Sequence, residues 1–294
     1  MEEQKKVGVS YSQLSMYNQC ELKWKLNYAD KLGVFKDSIH LLFGTAIHTT
    51  LQYYLNVMYT ETIQKADDLN LDAMLLTELK RGFTESFEKN NEYPCTKEQL
   101  IEFYQHGILI LDFFKKHKNE YFSKKGFELL GCEIPLEIDL SENIKFVGFI
   151  DIAIKDKVSG KVYIKDFKTS TKGWFPYQQK DETKTQQLVL YKEFYSRKYD
   201  VPVDLIEVEY VILKRLLSEN SQWPQKRVQL FSPASGTISI KKVMTNLKKF
   251  IQDSYNSDGT IKLDRQFNKD ESQKTCKFCD FNGTQYCDAP LVKK

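Results

Sequence analysis

In the stretch VYIKDFKTS, residues 162–170, an acid and a lysine stand two positions apart inside an apolar run. Alternate residues of a strand share a face, so Asp166 and Lys168 point the same way. Upstream, GFIDIAI sets Asp151 among apolar residues of a second strand-like run. If the two runs are neighbours, Asp151 and Asp166 converge. Two carboxylates at close range repel unless a cation lies between them. A hard divalent ion with oxygen ligands, magnesium or manganese, answers that need. Such an ion polarises a phosphodiester and acidifies a bound water. Lys168 would stabilise charge growing on the scissile phosphate or help hold the nucleophile. The plainer alternative leaves both acids at strand ends and Lys168 snorkelling into solvent.

Other side chains bear on that choice. His48 follows FGTAI on a helical stretch, where a lone histidine is more often structural. Gly44 would let that helix approach another backbone closely. Gln187 and Tyr191, in QLVLY, are four apart and share a helix face. Trp174, Phe175 and Tyr177 follow the Asp166 strand in KGWFPYQQK, and aromatics and cations also interleave in KWKLNY and KRLLSENSQWPQKR. Single-stranded DNA favours such surfaces, because bases stack on rings while cations meet phosphates. The same rings also suit core or loop packing.

The elements that must position these residues can be read from periodicity. Residues 12–29 form an expected helix with Ser12 as N-cap, and 41–59 a second. From about 60 to 125 the helical spacing continues, broken at NNEYPC, and is read as a helical insertion. The texture changes near 127. Three strand-like runs follow, separated by SEN and KVSG, then a helix through TKTQQLVLYKEFYSRKY and strands at VDLIEVEYVILKRL and KRVQLF. Thr237 is the expected cap of a helix running to about Tyr255, ahead of a loop-rich tail from about 258. The 294 residues are read as one unit, with a catalytic α/β core at 127–215 behind a helical front.

The ordered set FGTAIH, GFIDIAI, YIKDFKTS and QLVLY resembles the RecB-like exonuclease branch of the PD-(D/E)XK nuclease superfamily. That branch includes AddB-type and CRISPR-associated RecB-like nucleases. The opening SYSQLSMYNQCELKWKLNY is similar to its N-terminal helix, so the likeness runs from about 10 to 288. The resemblance implies a restriction-endonuclease-like core, a mixed central sheet flanked by helices. It implies that His48, Asp151, Asp166 and the carbonyl of Phe167 face the metal, with Lys168 as catalytic lysine. It also implies that Gln187 and Tyr191 position DNA near that lysine. Glu133, on the first strand, is an outer acid of the same site in this reading.

The tail carries CKFCDFNGTQYC, a C-x2-C-x7-C run of Cys276, Cys279 and Cys287. Three thiolates are one short of tetrahedral closure, and Cys20 is the natural fourth. Such a site would pack residues 258–294 on the N-terminal helix and close a very long loop. Residues alone allow zinc or an iron–sulfur cluster; the resemblance implies a 4Fe–4S cluster. Cys95 and Cys132 read as buried or incidental thiols.

Net charge is only +3 and charged residues make up 28%, so bulk electrostatics do not announce a nucleic-acid binder. No apolar run reaches the roughly 20 residues that span a bilayer, and the expected compartment is cytoplasmic. No G-x-x-x-x-G-K-[ST] motif is present, so a helicase or recombination partner would supply any motor. The expected function is a metal-dependent DNA exonuclease on single-stranded or unwound ends. The alternatives are a catalytically silent DNA-binding or assembly subunit, and a cysteine-metal interaction module merely scaffolded by the strands.

Overall fold

A computed structural model describes residues 6–33, 36–218, 223–290 and 292. Part of the aromatic and basic stretch at 214–227, namely 219–222, falls outside the described residues. The chain begins with β1 (Val7–Val9), α1 (Tyr11–Gln19), α2 (Glu21–Trp24) and a π-helical turn at Lys25–Ala29. It continues through α3 (Ile39–Thr60), α4 (Ile63–Asp67), α5 (Leu71–Asn90) and α6 (Lys97–Tyr121). Next come β2 (Phe127–Asp139), β3 (Ile144–Asp156), β4 (Val162–Ser170), α7 (Pro176–Gln179) and α8 (Glu182–Tyr199). The last elements are β5 (Ile206–Lys214), β6 (Val228–Phe231), α9 (Thr237–Ser254) and α10 (Gln273–Cys276).

The strands form one mixed sheet. β2 and β4 lie antiparallel to β3, β5 runs parallel to β4, and β6 closes antiparallel on β5. The parallel β4–β5 pair requires a crossover, and α8 supplies it. β1 pairs parallel with β3 at Ile144–Phe146, an element too short to show a period in the sequence. Helices cover both faces, giving the α/β core with a mixed sheet and flanking helices expected above. One core packs α1, α8 and α9 on the sheet through residues such as Leu14, Leu188 and Val243. The other packs α3, α5 and α6 through Phe43, Leu75 and Phe114. The helices of the 60–125 stretch thus build one of the two covering layers. No helix among the described residues is long and apolar enough to cross a membrane.

Three local expectations change. The helix over 12–29 is interrupted at Cys20, whose backbone is extended at φ −165° and ψ 114°. Its thiol accepts the N–H groups of Lys23 at 3.4 Å and of Asp270 at 3.5 Å, so docking of the tail replaces helical continuity. Ser10, not Ser12, caps α1, accepting from Gln13 N–H at 3.4 Å. At α9 the cap position belongs to Gly236, and Thr237 is the first helical residue.

Candidate active site

β3 and β4 pair through Ile152↔Lys165, and the ladder ends there. One residue further on stand Asp151 and Asp166, where the strands part. Asp151 Oδ2 accepts the main-chain N–H of Phe167 at 2.7 Å, so a side chain takes over where the ladder stops. Phe167 itself turns its ring to the α3 side, 5.7 Å from the His48 ring and 5.9 Å from Phe122.

The strands also swivel at this level. Cys132 belongs to the core under α3 and Ile134 to the core under α8, although residues two apart should share a face. Ile152 and Ile150 divide between the two cores in the same way. Glu133 lies between the first pair and Asp151 between the second. Glu133 has a left-handed backbone, φ 50°, which L-residues with a Cβ adopt at a cost of about 1–3 kcal/mol. Its carboxylate is held by Gln52 of α3, whose Nε2 donates to Glu133 Oε1 at 2.6 Å and to the Asp151 carbonyl at 3.2 Å. Gln52 escaped the sequence reading. The signal was present, since it is a polar residue one helical turn beyond His48 on the same face.

His48 reaches the acids from α3, with Nδ1 3.5 Å from Asp151 Oδ2. From the other layer come β4 and α8. Lys168 Nζ lies 2.7 Å from Asp166 Oδ2 and donates to Gln187 Oε1 at 3.2 Å. Gln187 Nε2 in turn donates to the Tyr191 hydroxyl at 3.1 Å. Tyr191 packs against Gly148, where a Cβ would stand only 2.9 Å from its hydroxyl oxygen. The glycine of GFID is therefore a seat for the tyrosine. By contrast, Lys165 on the opposite face of β4 is buried and spent, paired with Glu209 at 2.7 Å and with the Tyr121 carbonyl. The structure thus brings together His48, Glu133, Asp151, Asp166, Lys168, Gln187 and Tyr191.

Burial sets the electrostatics. It pushes Asp151 and Asp166 up to about 6, against the pull of Lys168 on both. His48 is pushed down to about 4, chiefly by burial, so it is a neutral imidazole at physiological pH. Burial works against the Lys168 ammonium, but Asp166 and Asp151 outweigh it and raise its pKa. One ammonium does not hold both carboxylates ionised with ease; a divalent cation would. Asp166 Oδ2 is buried and, despite the ammonium beside it, accepts no well-directed hydrogen bond. Two carboxylates, one with an under-satisfied oxygen, and a neutral imidazole are the donor types that magnesium or manganese takes. As placed, however, no three His, Cys, Asp or Glu side chains among the described residues stand in ligand position.

Trp174 does not present its ring for stacking. It is 8% exposed and packs between Tyr210 and Phe231 at centroid distances of 4.9 and 6.0 Å. The open rings are its neighbours Phe175 and Tyr177, 50% and 72% exposed and stacked on each other. Gly44 approaches β4 only at van der Waals range, with 3.5 Å between a Cβ and Thr169 Oγ1, so the contact does not demand glycine.

At the other end of the fold, the tail packs on α2 and the turn after it. Leu26, Cys279 and Phe281 form a small core joined by Leu22 and Cys287, and Arg265 pairs with Glu21 at 2.9 Å. Burial raises the Cys276 thiol, and Cys279, Cys287 and Cys20 act on it electrostatically in the same direction. Asp270 joins two of the thiols, its N–H donating to Cys20 Sγ at 3.5 Å and its carbonyl accepting from Cys276 Sγ at 3.4 Å, while Cys279 and Cys287 share the small core of the tail. No three of the four thiols converge as ligands, so the expected 4Fe–4S or zinc centre has the donor set but not the ligand geometry.

A family model described as PD-(D/E)XK nuclease superfamily matches residues 8–287. Among solved structures, the chain is similar to a protein from Eubacterium rectale described as a "Putative exonuclease". That likeness has a TM-score of 0.52 at 12% identity and covers 99% of this chain and 90% of the other, which speaks to the fold alone. No curated protein matches the sequence.

Proposed function

Because this chain belongs to the PD-(D/E)XK nuclease superfamily, we propose that it is a metal-dependent DNA nuclease, an exonuclease acting on single-stranded or unwound ends. The observation that carries this reading is the meeting of Asp151, Asp166 and Lys168 where β3 and β4 part, with His48 alongside. Asp151, Asp166, His48 and the carbonyl of Phe167 are the residues that would hold magnesium or manganese. When bound, that ion supplies Lewis acidity and a water of lowered pKa. Lys168 stabilises charge on the phosphate oxygens as the bond breaks. It touches both Asp166 and Gln187, so it keeps a partner when Asp166 turns to another ligand. Gln187 and Tyr191 hold the ammonium in place beside the strand.

Incubation of end-labelled single-stranded and duplex DNA with magnesium or manganese tests the proposal. Wild type should release nucleotides from ends, while Asp166→Asn and Lys168→Ala should not. No cleavage by wild type with any metal or substrate would leave a silent binding subunit as the reading to pursue. Cleavage by wild type only inside closed circles would turn the exonuclease into an endonuclease.

The cysteines are proposed as a second metal centre of structural role, 4Fe–4S before zinc, held by Cys20, Cys276, Cys279 and Cys287. The support is the sharing of Asp270 by Cys20 and Cys276 and the packing of Cys279 with Cys287 in the small core of the tail. Anaerobically purified protein should absorb near ~400 nm if the centre is iron–sulfur. A colourless preparation with stoichiometric zinc would replace the cluster by zinc. A helicase or recombination partner is proposed as the source of unwound ends.

A further inference from the structure

We propose that the groove running from Lys168 along α1 and the first turn of α8 is the track for the sugar-phosphate backbone of one DNA strand. In this proposal Lys184, Ser12 and Gln19 are its contacts. The proposal rests on the nuclease reading above and adds to it a binding subsite with its own residues.

The groove is a cavity of about 450 Å³ opening directly off the site. A space of that size is on the scale that takes one drug-sized molecule, and so a short run of strand backbone. Lys168 and Lys184 line it and no Asp or Glu does; Lys168 is paired with Asp166 at 2.7 Å, so Lys184 is the cation left for a phosphate. That lining contrasts with the metal end of the site, where three acids gather. Acids do adjoin the groove, but they are engaged elsewhere. Asp181 pairs with Lys274 at 3.1 Å, and Glu182 with Lys242.

The walls divide into groups that set the width and groups left over. The Tyr11 hydroxyl donates to the carbonyls of Glu182 and Thr183 at 3.1 Å each, and Ser15 Oγ to Thr183 O at 3.2 Å. These bonds lock α1 to the start of α8. Ser12 and Gln19, on the same helix, line the groove region with no hydrogen bond from their side chains to any described residue. The Lys184 ammonium lies 5.8 Å over the Trp174 ring and forms no ion pair among the described residues. A hydroxyl and an amide without partners among the described residues, beside an ammonium with no counter-ion there, are what a phosphodiester backbone takes up. Beyond Gln19 the next depression carries Glu21 and Asp270, so the acid-free run ends there.

Fluorescence anisotropy of a labelled single strand, in EDTA to prevent cleavage, reads the groove without the reaction. Lys184→Ala should weaken binding several-fold and reduce the slope of log K against log salt by about 0.7, one phosphate contact on a single strand. The double variant Ser12→Ala, Gln19→Ala should weaken binding with the salt slope kept. Lys80→Ala, an exposed lysine on α5, should change neither. In cleavage assays Lys184→Ala should raise KM for DNA. It should retain wild-type turnover of bis(p-nitrophenyl) phosphate, a diester with no flanking strand. Unchanged affinity and salt slope in Lys184→Ala would overturn the proposal, as would an equal loss on blunt duplex. If wild type cleaves neither DNA nor the small diester, the nuclease reading fails, yet the binding measurements still decide the groove.

Discussion

Gln52 donates to Glu133 Oε1 at 2.6 Å, tying the helix that carries His48 to a strand residue with a left-handed backbone. The same amide reaches the Asp151 carbonyl. Gln52 touches no reacting atom and acts by positioning. Gln52→Ala should therefore lower kcat about tenfold with KM nearly unchanged, and cost about 1–2 kcal/mol of stability. Gln52→Glu should do worse than alanine, because it sets like charges together. A KM effect in place of a kcat effect would assign Gln52 to substrate binding.

Lys168 and Gln187 form a graded pair. Lys168→Ala removes the ammonium that faces the transition-state charge and should cost a factor of about 10²–10³ in kcat. Gln187→Ala leaves the ammonium but loosens it, and should cost about tenfold. Lys168→Arg should not restore activity, since a guanidinium fork is not a compact point charge. Single-turnover kinetics with saturating enzyme separate these losses from binding.

Asp151 gives a pH signature. Its folded pKa is raised to about 6 from the ordinary 3.8. In metal-free protein the buried charge thus destabilises the fold above pH 6. The penalty fades as pH falls through 6, and nothing further changes below 3.8, where the unfolded chain is protonated too. Asp151→Asn should raise the melting temperature near pH 7, by of order 1–3 kcal/mol of stability, and the advantage should shrink toward pH 5. Manganese should stabilise wild type and leave the variant unmoved. A variant less stable than wild type near pH 7 would contradict the burial argument.

Two glycines should respond in opposite directions to alanine. At Gly148 the new methyl meets the Tyr191 hydroxyl at 2.9 Å and the Phe146 ring at 3.1 Å. Overpacking of that kind costs about 1–3 kcal/mol and should push Tyr191 off Gln187, lowering activity as well. At Gly44 the methyl finds 3.5 Å of room in a helix interior. Gly44→Ala should gain up to about 1 kcal/mol with activity kept. Thermal melts of the two variants check both.

Much of this architecture was legible because the elements that matter are long and periodic. β3, β4 and α8 announce themselves by alternation or helical spacing, and Asp151, Asp166, Lys168, Gln187 and Tyr191 fall on them. What stayed hidden depends on partners distant in the chain. β1 is three residues and exists only by pairing with β3. The break at Cys20 comes from a tail some 250 positions away, through Asp270. Trp174 sits in a sequence that suits an exposed loop, and only the position of Tyr210 and Phe231 buries it. The face switch at Glu133 and Asp151 defeats strict alternation, which assumes a regular extended backbone, and Glu133 is left-handed.

That switch makes the two helical layers joint custodians of one carboxylate. Ile150 is anchored beneath α8 and Ile152 beneath α3, with Asp151 suspended between them. A cavity opened in either layer is felt at the same oxygen atoms. Damage beneath α5 is therefore open to suppression from beneath α9. In a random-mutagenesis screen for restored activity, second-site revertants should come from the opposite side of the sheet as readily as from the injured one.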